Sequence, residues 1–336
     1  MTPKVAVVIL NYNGRAFLEK FLPSVIQYSD HHSIVVADNA STDDSIDFMK
    51  NTYPEVRLIE MERNTGFSQG YNIALKEIEA EYYVLLNSDV EVTPHWLQSM
   101  VEFMDAHPQV AACQPKIKAF HRKSDFEYAG AAGGFIDKLG YPFCRGRIFD
   151  EIEADKGQYN DVYEIFWATG ACMFVRASLY WQQGGLDNDF FAHMEEIDLC
   201  WRFKNAGYQV YYVGTSEVYH VGGGTLPKSN PRKTFLNFRN NLALLYKNLP
   251  KGKVWTTLCW RFWLDGVAWL HFMLKGQVKD ALAISKAYWK FYTNVRFWQK
   301  KRKSNPNYSI HPQMLRQSLV FAYFFKKKRR FHDLIS

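Results

Sequence analysis

Along the first 110 positions, apolar residues come in blocks of strand length separated by segments of helical spacing. The runs at 5–10, 34–37, 56–59 and 82–86 are almost continuously apolar. Between the first two, Phe17, Leu18, Phe21, Leu22, Val25 and Ile26 repeat with a helical period. A continuously apolar strand is buried on both faces, and strands alternating with helices build βαβ units. The pattern therefore predicts an α/β fold with a largely parallel sheet covered on both sides. Pro94 at a first helical position, behind Thr93 as N-cap, predicts the next helix. From about 115 to 160 the pattern loosens into Gly-rich and aromatic sequence, read as a long irregular excursion over a cleft or a hairpin insertion. Strand patterns return at 171–175 and 208–213, flanking an acidic helix near 195–205. After Gly224 the spacing is helical at 234–249, 253–274 and 280–297, which divides the chain into 1–225 and a helical region, 226–336.

The polar residues that stop the strands carry the chemistry, because ligands of open α/β sheets sit at the carboxyl ends of strands. The run 82–86 stops at Asn87-Ser88-Asp89. An Asp there can hold a divalent cation and leave positions for phosphates, although these residues also suit a turn. Strand one ends in Asn11-Tyr12-Asn13-Gly14, and strand two in Asp38, whose carboxylate can accept from a nucleobase N–H or a ribose hydroxyl. Asn64-Thr65-Gly66-Phe67 precedes the helix 68–78, so its amides and helix N-terminus could face a phosphate or sugar. None of these segments has the glycine spacing of a dinucleotide fold or a P-loop lysine.

Charge changes the picture of the C-terminal third. Of a net +7 over 336 residues, 1–225 contribute 18 Lys+Arg against 31 Asp+Glu, and 226–336 contribute 23 against only Asp265, Asp280 and Asp333. That asymmetry points to an anionic partner surface, membrane or nucleic acid. The segment 255–274 is long enough to span a bilayer, but Thr257, Arg261 and Asp265 form one polar stripe on an otherwise aromatic helix. Charges there argue against a spanning helix and for one lying in an interface or packed on the domain. The basic runs 300–303 and 326–330, the second directly behind 321–325 (Phe-Ala-Tyr-Phe-Phe), suit an anionic lipid surface. Five scattered cysteines without a CxxC pair argue for free thiols in a reducing cytoplasm. The start, Met1-Thr2-Pro3-Lys4 before a six-residue apolar run, is too short for a secretory signal.

Together with Gly184-Gly185-Leu186-Asp187, Phe190-Phe191, Glu195-Glu196-Ile197-Asp198-Leu199-Cys200-Trp201-Arg202 and Ala206-Gly207-Tyr208, the ordered strand-end motifs resemble the family 2 glycosyltransferases of GT-A fold over roughly 3–225. The resemblance implies a nucleotide-diphosphate sugar donor, a divalent metal (Mg²⁺ or Mn²⁺) and inverting transfer to a hydroxyl acceptor. It implies that Asn87-Ser88-Asp89 stands for the family's Asp-x-Asp, with Asp89 the metal ligand and Asn87 replacing the first carboxylate. It assigns Asn11, Asp38, Asn64, Gly66, Asn87 and Ser88 to the donor, and His220 to the metal or diphosphate. The glycines 222–224 after His220 suggest close approach of a ligand or a lid. The pair Glu195-Glu196 stands where the family carries Glu-Asp, so Glu196 becomes the catalytic base, with Glu195 its alternative. Trp201 and Arg202 are candidate acceptor or phosphate contacts, although Arg202 could equally pair with a helical neighbour.

The reading is a cytoplasmic enzyme peripheral to the inner face of the cell membrane, building a cell-surface glycan on a glycan or lipid-linked acceptor, with no nucleic acid expected. Two alternatives remain at this stage. A sugar-nucleotide nucleotidyltransferase would need a Gly-rich basic loop after strand one, where residues 11–15 hold one glycine. A nucleic-acid-binding protein would use the basic third and show steep salt dependence.

Overall fold

The computed structural model describes residues 3–222, 230–303 and 308–335. In chain order it begins β1 (Val5–Asn11), α1 (Arg15–Tyr28), β2 (Ser33–Asp38), α2 (Ser45–Thr52), β3 (Arg57–Glu60), α3 (Gly66–Lys76), β4 (Tyr82–Asn87), β5 (Val90–Val92), α4 (Trp96–Ala106), β6 (Val110–Ala119) and β7 (Arg122–Phe126). It continues with β8 (Gly134–Asp137), β9 (Pro142–Cys144), β10 (Arg147–Ile148), β11 (Glu151–Ile152), β12 (Val162–Glu164), β13 (Cys172–Arg176), α5 (Ala177–Gln182), α6 (Glu195–Asn205) and β14 (Gln209–His220). The last third holds α7 (Pro231–Asn248), α8 (Lys251–Leu274), α9 (Val278–Thr293), α10 (Val295–Lys303), β15 (Met314–Leu315), α11 (Leu319–Phe324) and α12 (Phe331–Ile335).

The main sheet runs β12-β14-β6-β13-β4-β1-β2-β3, with β5 on β14 and β7 on β6. Successive side chains of β1 point to opposite faces. Ala6 and Val8 join a core with Tyr71 and Leu75 of α3, while Val5, Val7 and Ile9 join another with Leu18 and Leu22 of α1 and Met100 of α4. Burial on both faces is why the apolar runs of β1 and β4 are unbroken. Only part of the sheet is parallel: β13 runs antiparallel to both β4 and β6, so the sheet is mixed rather than largely parallel. The long segment between β6 and β13, which carries β7 to β12, brings the chain back in the opposite sense.

Two local expectations are corrected. Thr93 does not cap α4; its hydroxyl donates to the Glu217 carbonyl at 2.7 Å, and the helix begins after His95 at φ 61°. The stretch 115–160 is not an irregular excursion. It builds β6 and β7 and most of a second, five-stranded sheet ordered β11-β10-β9-β8-β15. Its strands are as short as two residues, below the length at which alternation is visible in a sequence. The C-terminal segment supplies β15, which pairs in parallel with β8.

Buried Asp137 fastens that junction. Its carboxylate accepts from the backbone N–H of Leu139 and Tyr141 at 2.9 Å and of Leu319 at 2.7 Å. Asp137→Ala would leave those three donors unpaired in the core. It is expected to cost about 3–5 kcal/mol, read as a lower midpoint in denaturant unfolding. All five cysteines are free thiols.

Candidate active site

β4 delivers Asn87 and Asp89 to one edge of the main sheet, and β14 delivers His220 to the same place. The register that sets His220 opposite Val90 puts the ring beside Asp89. His220 Nε2 lies 3.1 Å from Asp89 Oδ1 and 3.4 Å from Asn87 Nδ2, while its Nδ1 lies 3.5 Å from Glu127 Oε1. Asp89, Glu127 and His220 are all buried. Gly222 has φ +72°, and a Cβ there would come within 2.8 Å of Glu127 Oε1, so a side chain would push into this cluster. Gly223 and Gly224 lie outside the described residues.

Burial opposes charge on His220, but the carboxylates of Glu127 and Asp89 outweigh it and push the pKa up to about 10. Burial likewise works against Asp89, and His220 nonetheless holds its pKa below the usual carboxylate range. A histidine facing one carboxylate and backed on its other nitrogen by a second is the usual build of a metal-ligating imidazole with its support. Without a cation, Nε2–H of the charged ring pairs with Asp89; a divalent cation would displace that proton, leaving an Asp89 oxygen and His220 Nε2 as donors and Glu127 orienting the ring. Among the described residues no three His, Cys, Asp or Glu close a complete cage, so phosphate and water oxygens would complete the coordination.

The neighbouring strand ends are knitted together rather than left open. Asp38 accepts from Asn11 Nδ2 at 2.8 Å and from the Ser41 N–H and hydroxyl at 2.7 Å, and it is 1% exposed. Asn11 Oδ1 is buried without a partner. Ser88 is half-buried in the turn after β4. The amides of the Asn64–Gly66 loop do not face outward as expected. Thr65 N–H donates to Asn39 Oδ1, Gly66 N–H to Asn64 Oδ1, and Phe67 and Ser68 N–H to the Phe191 carbonyl. The N-terminus of α3 thus grips the segment that carries the acidic pair. Gly66 has φ +81°, and a Cβ would strike the Phe191 ring at 2.5 Å.

That segment is strained. Phe191, His193 and Met194 have φ of 66°, 70° and 75°, conformations that L-residues hold only when their surroundings impose them. Asn240 of α7 does the imposing: its side-chain amide donates to the carbonyls of Phe190, Ala192 and His193 at 2.9, 2.9 and 2.7 Å. At the end of the segment, Glu195 Oε2 and Glu196 Oε2 are buried and unpartnered. Burial, then the charge of Glu196, raises the Glu195 pKa well above its usual value, and burial pushes Glu196 up to about 7. Glu127 and Glu196 both bear electrostatically on the buried Cys144 thiol. Asn240→Ala is expected to free the strained backbone that carries the acidic pair, read as amide exchange at 190–194 faster by about 10–100-fold.

Trp201 and Arg202 are used internally. Trp201 is fully buried edge-on to Phe166 at 5.2 Å. Arg202 bonds Asp198 at 2.8 Å and the carbonyls of Gln183 and Gly185, which is the helical pairing rather than a ligand contact. Glu127, Asn39 and Asn240 are the site-building residues that sequence reasoning missed. A cavity of about 660 Å³ lined by Phe135, Phe143, Met314, Phe331 and Leu334 belongs to the smaller sheet and includes none of the strand-end residues.

Residues 6–183 match the family described as Glycosyl transferase family 2. A Mycobacterium tuberculosis protein named N-acetylglucosaminyl-diphospho-decaprenol L-rhamnosyltransferase is 26% identical over 236 residues, spanning 66% of this chain and 76% of its own. Escherichia coli rhamnosyltransferase WbbL is 25% identical over 272 residues, 74% of this chain and 94% of its own. Among solved structures, the mannosyltransferase PcManGT from Pyrobaculum calidifontis, in complex with GDP-Man and Mn²⁺, aligns with a TM-score of 0.53 at 15% identity, covering 90% of this chain and 85% of that one. At that identity the likeness concerns the fold, which is GT-A.

Proposed function

Because the chain belongs to glycosyl transferase family 2, and is therefore a glycosyltransferase, we propose that it transfers a sugar from a nucleotide-diphosphate donor to a hydroxyl of a lipid-linked glycan with inversion, Glu196 acting as base. The sugar is a deoxyhexose such as the L-rhamnose in the names of both relatives, and the protein works at the periphery of a membrane where such acceptors reside. Asp89 and His220 would hold the divalent cation, which when bound offsets the charge of the departing diphosphate. Asn11, Asp38, Asn64, Gly66, Asn87 and Ser88 form the edge along which the nucleotide lies; Asp38 acts chiefly by fixing Asn11 and the turn at Ser41. Glu196 Oε2 takes the proton of the acceptor hydroxyl as that oxygen attacks the anomeric carbon from the face opposite the diphosphate. One displacement inverts the configuration. Glu195, whose pKa burial and then the charge of Glu196 raise, lies beside it, so the two carboxyls titrate as a pair.

The observation that carries this reading is that one chain holds both a buried Asp89–His220 pair at the end of β4 and an unpartnered, pKa-raised glutamate at the start of α6. The test is transfer from a panel of nucleotide sugars, nucleotide-linked L-rhamnose included, to a polyprenyl-diphosphate N-acetylglucosamine, with product configuration read by NMR. Transfer with the donor's anomeric configuration inverted supports the proposal; retention of configuration would remove the single-displacement role of Glu196.

A further inference from the structure

α8 is turned inside out relative to an ordinary surface helix. Its buried stripe is Val254, Thr257, Leu258, Arg261 and Asp265, and its solvent side is aromatic and aliphatic. Arg261 pairs with Asp265 at 3.1 Å, and Asp265 also accepts from Tyr141 and Tyr288 hydroxyls at 2.9 and 2.7 Å. The polar stripe read from the sequence is therefore an internal fastening to the rest of the protein. Outward, Trp260, Trp263 and Leu274 are 63, 66 and 79% exposed, and Trp289 of α9 is 72% exposed. Trp260, Trp263, Val267, Leu270 and Leu274 recur at helical spacing, so they form one continuous face. A soluble surface does not hold so many large apolar side chains together without a partner.

We propose that the outer face of α8 and α9 docks on an anionic lipid bilayer. This rests on the membrane-peripheral reading above and names the surface that accomplishes it. Three observations select lipid. Trp is the residue favoured at the boundary between headgroups and acyl chains. The same helices and their turn carry exposed Lys251, Lys253, Lys275, Lys279 and Lys290, and Lys253 precedes Trp260 by two helical turns on the same face. The acids of the C-terminal third are withheld from it: Asp265 and Asp280 are buried, and Asp333 pairs with His332 near the C-terminus. A second copy of the chain packed on this face about a two-fold axis would bring like-charged lysines together, with Asp265 and Asp280 buried and unable to offset them. Among the described residues no helix is long and apolar enough to cross a membrane, so the contact is interfacial.

The placement also serves the chemistry. α7 packs against α8 and α9 on one side and α6 on the other, and its Asn240 holds the segment leading to Glu195 and Glu196. The docking face is thus about two helix layers, roughly 20 Å, from the catalytic segment. That brings the headgroup end of a lipid-linked acceptor, rather than its tail, toward the base.

The experiment is flotation of the full chain with vesicles of phosphatidylcholine alone and with about one-third phosphatidylglycerol. It compares wild type with Trp260→Ser/Trp263→Ser/Trp289→Ser, all surface positions, and checks folding by circular dichroism and nucleotide binding on the same samples. Binding of wild type to the anionic vesicles, weakened by salt and at least about tenfold weaker in the triple variant, is expected. Equal binding by the variant, no vesicle binding by wild type, a wild-type dimer that the variant converts to monomer, or retention on RNA in place of vesicles would each overturn it. Nucleotide binding without vesicle binding would refute the docking face and spare the transferase chemistry; the reverse would do the opposite.

Discussion

Glu196→Gln is expected to lower kcat by about 10²–10⁴-fold while nucleotide binding stays within a factor of two or so of wild type. The amide keeps the shape of the side chain and its place at the start of α6, but it cannot accept the acceptor's proton. The same substitution should raise the melting temperature by a few degrees above pH 7. The folded-state pKa, pushed up to about 7, lies above the unfolded value of 4.5, so the folded protein binds more protons through that window and loses stability as pH rises across it. Removing the titrating group removes that loss. The wild-type rate should correspondingly fall as pH drops below about 7, when the base becomes protonated. A variant that loses neither turnover nor the acid limb would shift the base to Glu195, and Glu195→Gln would then show the rate loss instead.

Asp89→Ala is expected to remove metal-dependent nucleotide binding by at least about 100-fold, since even supporting residues of a metal site cost about 10–100-fold. Asp89→Asn, which keeps the side chain's shape, should do nearly the same. Glu127→Gln should lose less, because it backs the His220 ring from 3.5 Å and does not face the cation. This order (Asp89 worst, Glu127 intermediate, wild type intact) separates a cation site from a merely structural ion pair. In a structural pair, stability would fall and nucleotide affinity would follow no such order. Titration calorimetry with and without Mn²⁺ reads both quantities.

The strand ends were legible because burial on both faces writes itself into a continuous apolar run, and the first polar residue after the run marks the edge of the sheet. That logic located Asn11, Asp38 and Asp89. The same reasoning found His220 only by resemblance, and it could not find Glu127. Glu127 sits just past β7, and its meeting with His220 depends on pairing among β6, β7 and β14 that no local pattern announces. Asn240 was hidden for a similar reason, since one amide in a helix gives no sign that it holds three carbonyls fifty residues earlier. The polar stripe of α8 was visible but ambiguous: periodicity shows that Thr257, Arg261 and Asp265 share a face, and only packing shows that this face turns inward. The smaller sheet was illegible because its strands are too short to alternate.

The proposed chemistry depends most on a nucleotide-diphosphate site completed by a divalent cation at Asp89 and His220. The most direct measurement is a thermal-shift panel of UDP, dTDP, GDP and CDP, each with and without Mg²⁺ or Mn²⁺, since a ligand that binds only the native state raises its apparent stability. At least one nucleotide is expected to raise the melting temperature only when the metal is present, and the shift is expected to disappear in Asp89→Asn. No metal-dependent shift at near-millimolar nucleotide, or an undiminished shift in Asp89→Asn, would contradict it.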